Sequence, residues 1–259
     1  MNDKIRKVAI AAAYFTGEDL LARYKSFDRK DEHFKSDHEI VTAADLAADK
    51  IILSTIKKAF PFHEILSEES GQSGQPSDYL WVIDPLDGTH NFSFHDPLWA
   101  VSIAVFYKKE IIIGVVFAPV LNELYVAEKD SGAWLNGQRL AVSKIKGKKT
   151  INAFCHSSRE KDIKKAIKYY SYHKLKDLDI RQLGSASLEL AYVAAGRLES
   201  IYIPGANSWD VAAGALLVRE AGGKVTDAKN KDWQIDSREL LASNRLVHGG
   251  LLKVIEKLK

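Results

Sequence analysis

The residues of this chain that could do chemistry are acids. Asp84 and Asp87 are three positions apart in the string Asp84-Pro85-Leu86-Asp87-Gly88-Thr89. Two carboxylates that close repel one another unless a proton or a cation intervenes. A hard divalent ion such as Mg²⁺ suits the pair, because it takes carboxylate oxygens and keeps positions for water and phosphate. A second acidic pair, Glu68-Glu69, precedes the string, and Asp210 lies far downstream. Each acid also has a plainer reading. Asp, Pro and Gly are ordinary turn residues. Glu68 and Glu69 could form a solvated strand end, and spacing does not say which of them would join the aspartates. Asp210 precedes an apolar helix, where Asp is a common N-cap. Asp45 falls in the first turn of an expected helix, where an acid either complements the helix dipole or takes part in catalysis. His90 and His95 stand nearby, but neither is read as a zinc ligand, since no Cys or further His stands at a zinc-site spacing.

These acids need elements to hold them. Tyr79 to Ile83 is aromatic and β-branched and reads as a buried strand. Pro85 fixes φ and lacks an N–H, so Asp84 and Asp87 are expected on a tight turn at the carboxyl end of that strand. Gly88 permits a sharp turn and a close approach to a ligand. Residues 3–25 predict an amphipathic helix with Ile5, Val8, Ala12 and Phe15 inward. The polar segment 27–40, with Lys35-Ser36, reads as a loop leading into Val41-Thr42. Thr42 would then cap a helix over 43–59, with Leu46, Ile51, Ile52 and Ile56 as its apolar positions. Gly71 to Ser77 reads as a flexible loop. Strands follow at 100–106, 111–118, 124–127 and 132–135, with Lys108-Lys109-Glu110 and Asn136-Gly137 as hairpin turns.

Beyond residue 140 strands and helices alternate. Strands are expected at 151–155, 177–181, 201–203, 224–226 and 240–243. Helices are expected at 159–170, from Gly184-Ser185-Ala186 through Ala195, at 211–220, and at 249–258. This divides the chain into an α+β half, 1–140, and an α/β half, 141–259. The Lys-rich stretch from Lys161 to Lys176 reads as a solvated helix face, with no base-stacking platform for nucleic acid.

The chain has 259 residues, 46% hydrophobic and 27% charged, with net charge +3. That composition fits a globular protein with a large core. The charge is too mild to argue for nucleic acid or membrane. A single cysteine, Cys155, excludes an internal disulfide and fits a reducing compartment. No secretory pattern and no membrane-length apolar run are read, so a cytoplasmic protein is expected.

Three stretches together resemble the inositol monophosphatase family of Mg²⁺-dependent, lithium-sensitive phosphatases. They are Glu68-Glu69-Ser70, then Asp84 to Thr89 followed by Asn91-Phe92, then Trp209-Asp210-Val211-Ala212-Ala213-Gly214 leading to Glu220-Ala221-Gly222-Gly223. Lys35-Ser36, Val41-Thr42 with Asp45, and Gly184-Ser185-Ala186 extend the likeness over nearly the whole chain. The resemblance implies an alternating five-layer αβαβα sandwich with the site between its halves. It implies two to three Mg²⁺ ions. Glu68, Asp84 and the Leu86 carbonyl would hold one, Asp84, Asp87 and Asp210 a second, and a looser third would sit near Glu68. Thr89 and Asp45 would orient an attacking water, and Gly88 and Thr89 amides would hold phosphate oxygens. Gly184, Ser185, Ala186 and the loop before Trp209 would meet the alcohol part of the substrate. The implied activity is hydrolysis of a small phosphorylated alcohol, inositol 1-phosphate first. Relatives tuned to inositol carry an acid seven positions before the last metal aspartate, where this chain has Ile203. Fructose 1,6-bisphosphate, alone or as a dual activity, 3′-phosphoadenosine 5′-phosphate, NADP and histidinol phosphate therefore stand as alternatives. A silent regulatory relative is the non-enzyme alternative, and such a relative would be expected to have lost metal acids. The resemblance also implies a homodimer.

Overall fold

The computed structural model describes residues 2–26, 33–36, 39–41 and 43–258. Helix α1 (Asn2–Ser26) is followed by β1 (His33–Ser36) and β2 (Glu39–Val41), which pair antiparallel. The loop expected over 27–40 therefore contains a short hairpin; its polar sequence lacks the apolar alternation by which strands are recognised. Thr42 and the side chains of Lys35, Ser36 and Val41 lie outside the described residues. Helix α2 (Ala43–Ala59) comes next.

The first sheet is built from β3 (Glu64–Ser67), β4 (Gly71–Ser73), β5 (Tyr79–Asp87), β6 (Ala100–Tyr107), β7 (Glu110–Ala118), β8 (Glu123–Glu128), β9 (Gly132–Leu135) and β10 (Gln138–Arg139). Its strand order is β10-β9-β8-β7-β6-β5-β3-β4. Pairing is antiparallel throughout except between β3 and β5. Residues 71–73, expected in a loop, add the edge strand β4 by pairing with β3. The tight turn expected after Ile83 is absent. β5 runs on through Pro85 to Asp87, and the register with β6 slips between Asp84 and Asp87. A proline tolerates such a bulge because no ladder N–H is required of it there. A short helix, α3 (Thr89–Ser93), follows.

The second sheet contains β11 (Ile151–Phe154), β12 (Asp179–Arg181), β13 (Ser200–Pro204), β14 (Lys224–Thr226) and β15 (Glu239–Ser243), in the order β12-β11-β13-β15-β14. Its helices are α4 (Glu160–Leu175), α5 (Ala186–Ala194), α6 (Ser208–Glu220) and α7 (His248–Lys257). Helix α6 opens earlier than the apolar run suggested, because Asn207 is the cap and Asp210 sits inside the first turn. Asp210 is therefore not the N-cap.

The layers follow from which faces are apolar. α1 and α2 cover one face of the first sheet, α5 and α6 the other; α5 and α6 also back the second sheet, whose far face carries α4 and α7. This is the expected αβαβα sandwich. β6 and β7 are covered on both faces, which is why their sequences are continuous apolar runs rather than alternating ones. α1 buries small residues, among them Ala9, Ala12, Ala13 and Gly17, and leaves Phe15 58% exposed. The expected inward Phe15 is thus wrong; close packing against β7 favours the alanine face. Leu46 on α2 is likewise exposed.

Candidate metal and active site

The three long-range acids converge. Glu68 follows the end of β3, Asp84 lies near the end of β5, and Asp210 lies in the first turn of α6. One carboxylate oxygen from each falls within 4.8 Å of the others. Parallel pairing of β3 with β5 brings Ser67 beside Ile83, and the Glu68 N–H continues that ladder to the Ile83 carbonyl at 3.1 Å. α6 packs across β5, β6 and β7, and the Ser102 hydroxyl of β6 donates to the Trp209 carbonyl at 3.3 Å. That contact fixes the start of the helix over the sheet.

Burial pushes the carboxyls of Asp84 and Asp210 well above the usual range, with the charge of Glu68 as the next cause for both. Three carboxylates so close repel one another, and an all-carboxylate donor set fits a hard divalent cation. The donors present are thus compatible with Mg²⁺.

Asp87 has a different set of partners. Its Oδ2 accepts from the Ser185 hydroxyl at 2.7 Å and the Ser187 N–H at 2.6 Å, and its Oδ1 from the Ala186 N–H at 3.3 Å. Burial raises its pKa, and the bonds from Ser187 and Ser185 oppose that rise. A carboxylate at the end of β5 therefore sits on the N-terminus of α5, where helix dipole and open N–H groups favour negative charge. Asp87 lies outside the triple of Glu68, Asp84 and Asp210.

Asp45, 3% exposed, faces the same region from α2. The Thr89 hydroxyl lies 3.1 Å from Asp45 Oδ1 and 3.1 Å from the Leu86 carbonyl, so it can donate to either. The Leu86 N–H in turn donates to Asp84 Oδ1 at 3.0 Å, which folds the bulge back onto the cluster. Gly88 holds φ +94, and a Cβ there would lie 3.0 Å from the Leu98 carbonyl. Glu69 shares no place in the carboxylate triple, so geometry selects Glu68 from the pair.

Further residues support the arrangement, and apart from Asn91, which belongs to the signature stretch, they carry no signal in the sequence. Asn91 donates to the carbonyls of Leu98 and Leu183 at 2.6 and 2.7 Å, tying the turn after β5 to the segment before Gly184. Glu189 is fully buried and accepts the Leu183 N–H, which holds the same segment from the other side. Asp49, buried on α2, accepts the Ser67 hydroxyl beside Glu68. An isolated Asn, Ser or Glu inside an apolar stretch looks the same whether it supports a site or a loop. Ile203 is 2% exposed within β13, so it offers nothing to a hydrophilic substrate.

No helix of the described residues is long and apolar enough to cross a membrane. The inositol monophosphatase family model matches residues 1–259. The Nus factor SuhB of Pseudomonas aeruginosa is 39% identical, over 96% of this chain and 94% of that protein. The inositol-1-monophosphatase of Mesorhizobium japonicum is 35% identical, over 96% and 95%. Among solved structures, the IMPase of Thermotoga maritima superposes with a TM-score of 0.88 at 34% identity, covering 96% of both chains. With its fold, its acidic centre and its whole length in agreement, this chain belongs to the inositol monophosphatase family.

Proposed function

We propose that this protein is a Mg²⁺-dependent phosphomonoesterase acting on a small phosphorylated alcohol, with inositol 1-phosphate as the first candidate. The observation that carries the reading is the convergence of Glu68, Asp84 and Asp210, one carboxylate oxygen of each within 4.8 Å of the others. Glu68, Asp84, Asp210 and the Leu86 carbonyl would hold ions there, with Asp87 contributing from the α5 side. When bound, Mg²⁺ supplies Lewis acidity to phosphoryl oxygens and makes water a competent nucleophile near neutral pH.

The remaining roles belong to the chain. Thr89, by donating its proton to Asp45 Oδ1 at 3.1 Å, keeps its lone pairs free to accept from an attacking water. Asp45 is buried and fixed on α2, so the pair is preorganised. The Gly88 and Thr89 amides are the donors for phosphate oxygens. Ser185 and Ala186 flank the same centre through their bonds to Asp87, and Asn91 holds Leu183 next to Gly184, which supports a role of this segment in binding the alcohol part. The division into halves 1–140 and 141–259 belongs to this reading, with substrate held at their junction.

The test is phosphate release with Mg²⁺, with and without EDTA, from inositol 1-phosphate, fructose 1,6-bisphosphate, 3′-phosphoadenosine 5′-phosphate, NADP and histidinol phosphate. EDTA-sensitive turnover of one or more is expected, and the ranking selects the substrate. Ile203 in place of an acid keeps the non-inositol substrates in the panel.

A second reading draws on a relative 39% identical that is named a Nus factor. On it, the chain would act through a macromolecular partner. The acidic centre favours the enzyme. Stable capture of such a partner together with no Mg²⁺-dependent turnover would reverse that preference.

A further inference from the structure

At the other end of α6 from Asp210 lies a cavity of about 370 Å³. Asp210 and Arg219 are nine residues apart on that helix, about 13 Å along its axis, so the cavity is separate from the acidic centre. Its walls come from the β6–β7 hairpin, the last turn of α6, β14 and the segment 232–235.

The polar lining carries both signs, with Asp130 and Asp232 among its acids, and its charges differ in how they are engaged. Lys129 is paired with Glu110 at 2.5 Å, and the Glu220 carboxylate accepts the N–H groups of Asp130 and Gly132 at 3.0 and 2.8 Å. Those groups are engaged within the fold. Lys109, Arg219, Lys224 and Arg245 also line the cavity, and among the described residues none of them has an ion-pair partner. Lys224 and Arg245 make hydrogen bonds only to neutral oxygens, of Asn230 and of the Gly222 and Gly223 carbonyls.

Arg219 decides the matter. It is half-buried, and its hydrogen bond is a single one, to the Trp233 carbonyl at 2.8 Å. A guanidinium has five N–H donors in a rigid fork, so most of its donor capacity is unused. Burial pulls its pKa below the ordinary arginine value, and the charge of Asp232 opposes that only in part. A partly desolvated cation with no counter-charge at ion-pair distance is costly to keep. An oxyanion offers the bidentate geometry such a fork accepts. Phe106, Leu216 and Trp233 supply an apolar wall beside it.

We infer that this cavity is a second binding site, for a small organic oxyanion. Its carboxylate or phosphate-type group meets Arg219, and its apolar body lies on Phe106, Leu216 and Trp233. The site is independent of the phosphatase reading, and so is its test.

The experiment is calorimetric titration of the full chain with phenylphosphonate, benzoate and benzyl alcohol, in EDTA and again in Mg²⁺. One or both anions are expected to bind saturably in both buffers, and benzyl alcohol at least about tenfold more weakly. Which anion binds tells phosphate-type from carboxylate ligands. Arg219→Gln is expected to weaken the anion at least about tenfold. Lys109→Glu, on an exposed hairpin turn where folding is not at stake, should weaken it about threefold or more. The inference is overturned if neither anion binds, or if binding vanishes in EDTA and so belongs to the acidic centre. It is also overturned if benzyl alcohol binds as well as the anions, or if both variants bind like the parent.

Discussion

Replacing Gly88 with alanine tests whether the backbone between Asp87 and Thr89 is held as tightly as the geometry says. Gly88 has φ +94, a conformation that costs an L-residue about 1–2 kcal/mol. An added Cβ would also meet the Leu98 carbonyl at 3.0 Å, Trp99 Cβ at 3.2 Å and Ser185 Cβ at 3.3 Å. Two of these neighbours cannot swing away. One is backbone, and the other belongs to a Trp99 that is fully buried. Overpacking of that kind costs about 1–3 kcal/mol. The sum is about 2–5 kcal/mol, or a fall in Tm of about 4–20 °C for a chain of this size. Gly71 provides the internal control. It has φ +69, yet nothing lies within 4 Å of the position its Cβ would take. Gly71→Ala therefore carries the strain without the collision, and its cost is about 1–2 kcal/mol before the entropy lost by the unfolded chain is deducted. The assay is thermal unfolding of both variants beside the parent, followed by phosphate release at a temperature where all are folded. Gly88→Ala should melt lower than Gly71→Ala. Its kcat should also fall about tenfold, because a shift of the backbone at Thr89 misplaces a positioning group. Equal Tm values, or an unimpaired Gly88→Ala enzyme, would refute the reasoning that this turn has no room to move.

Asp87→Asn is expected to reduce phosphatase turnover at least about a thousandfold while circular dichroism stays native, since an amide removes charge from the centre but can still accept from Ser185 and Ser187. Near-normal turnover would remove Asp87 from the ion-binding set. His248 is 2% exposed between Thr226 and Ser243, and burial, with Lys224 and Arg245 nearby, pushes its pKa down to about 4. A histidine depressed on folding contributes stability above its unfolded pKa near 6.5, and that stability is lost as pH falls toward 4. The loss is about 3 kcal/mol. Urea unfolding at pH 7.5, 6 and 5 should give a gap between parent and His248→Gln that narrows with acid; a constant gap would contradict the assignment.

The layer order came from the family resemblance, but most strand positions were legible in the residues themselves, for a physical reason. Strands covered on both faces, such as Ala100–Tyr107 and Glu110–Ala118, are unbroken apolar runs, and turns such as Asn136-Gly137 need backbone shapes that few residues supply. Edge elements were hidden. Gly71–Ser73, His33–Ser36 and Glu39–Val41 are short and lack an apolar alternation to mark them, and only the partner strand makes them strands. Phe15 misled because hydrophobicity predicts burial, whereas the helix face against β7 selects for smallness. The acids were legible as a group through their resemblance to a family. Their arrangement was not. That Asp87 is spoken for by α5 while Asp210 shares the cluster with Glu68 and Asp84 depends on contacts across about a hundred residues, which no local pattern encodes.

Those bonds from Asp87 to Ser185, Ala186 and Ser187 span 98 to 100 positions of chain. Closing so long a loop has an entropy cost that nearby contacts must already have offset. The meander from β5 to β10 can form from neighbours in sequence, but the centre exists only once α5 and α6 have docked on it. Competence is therefore a late event in the life of each newly made molecule. A polypeptide released before residue 210 has the first sheet's strands, yet it holds only a fraction of the centre.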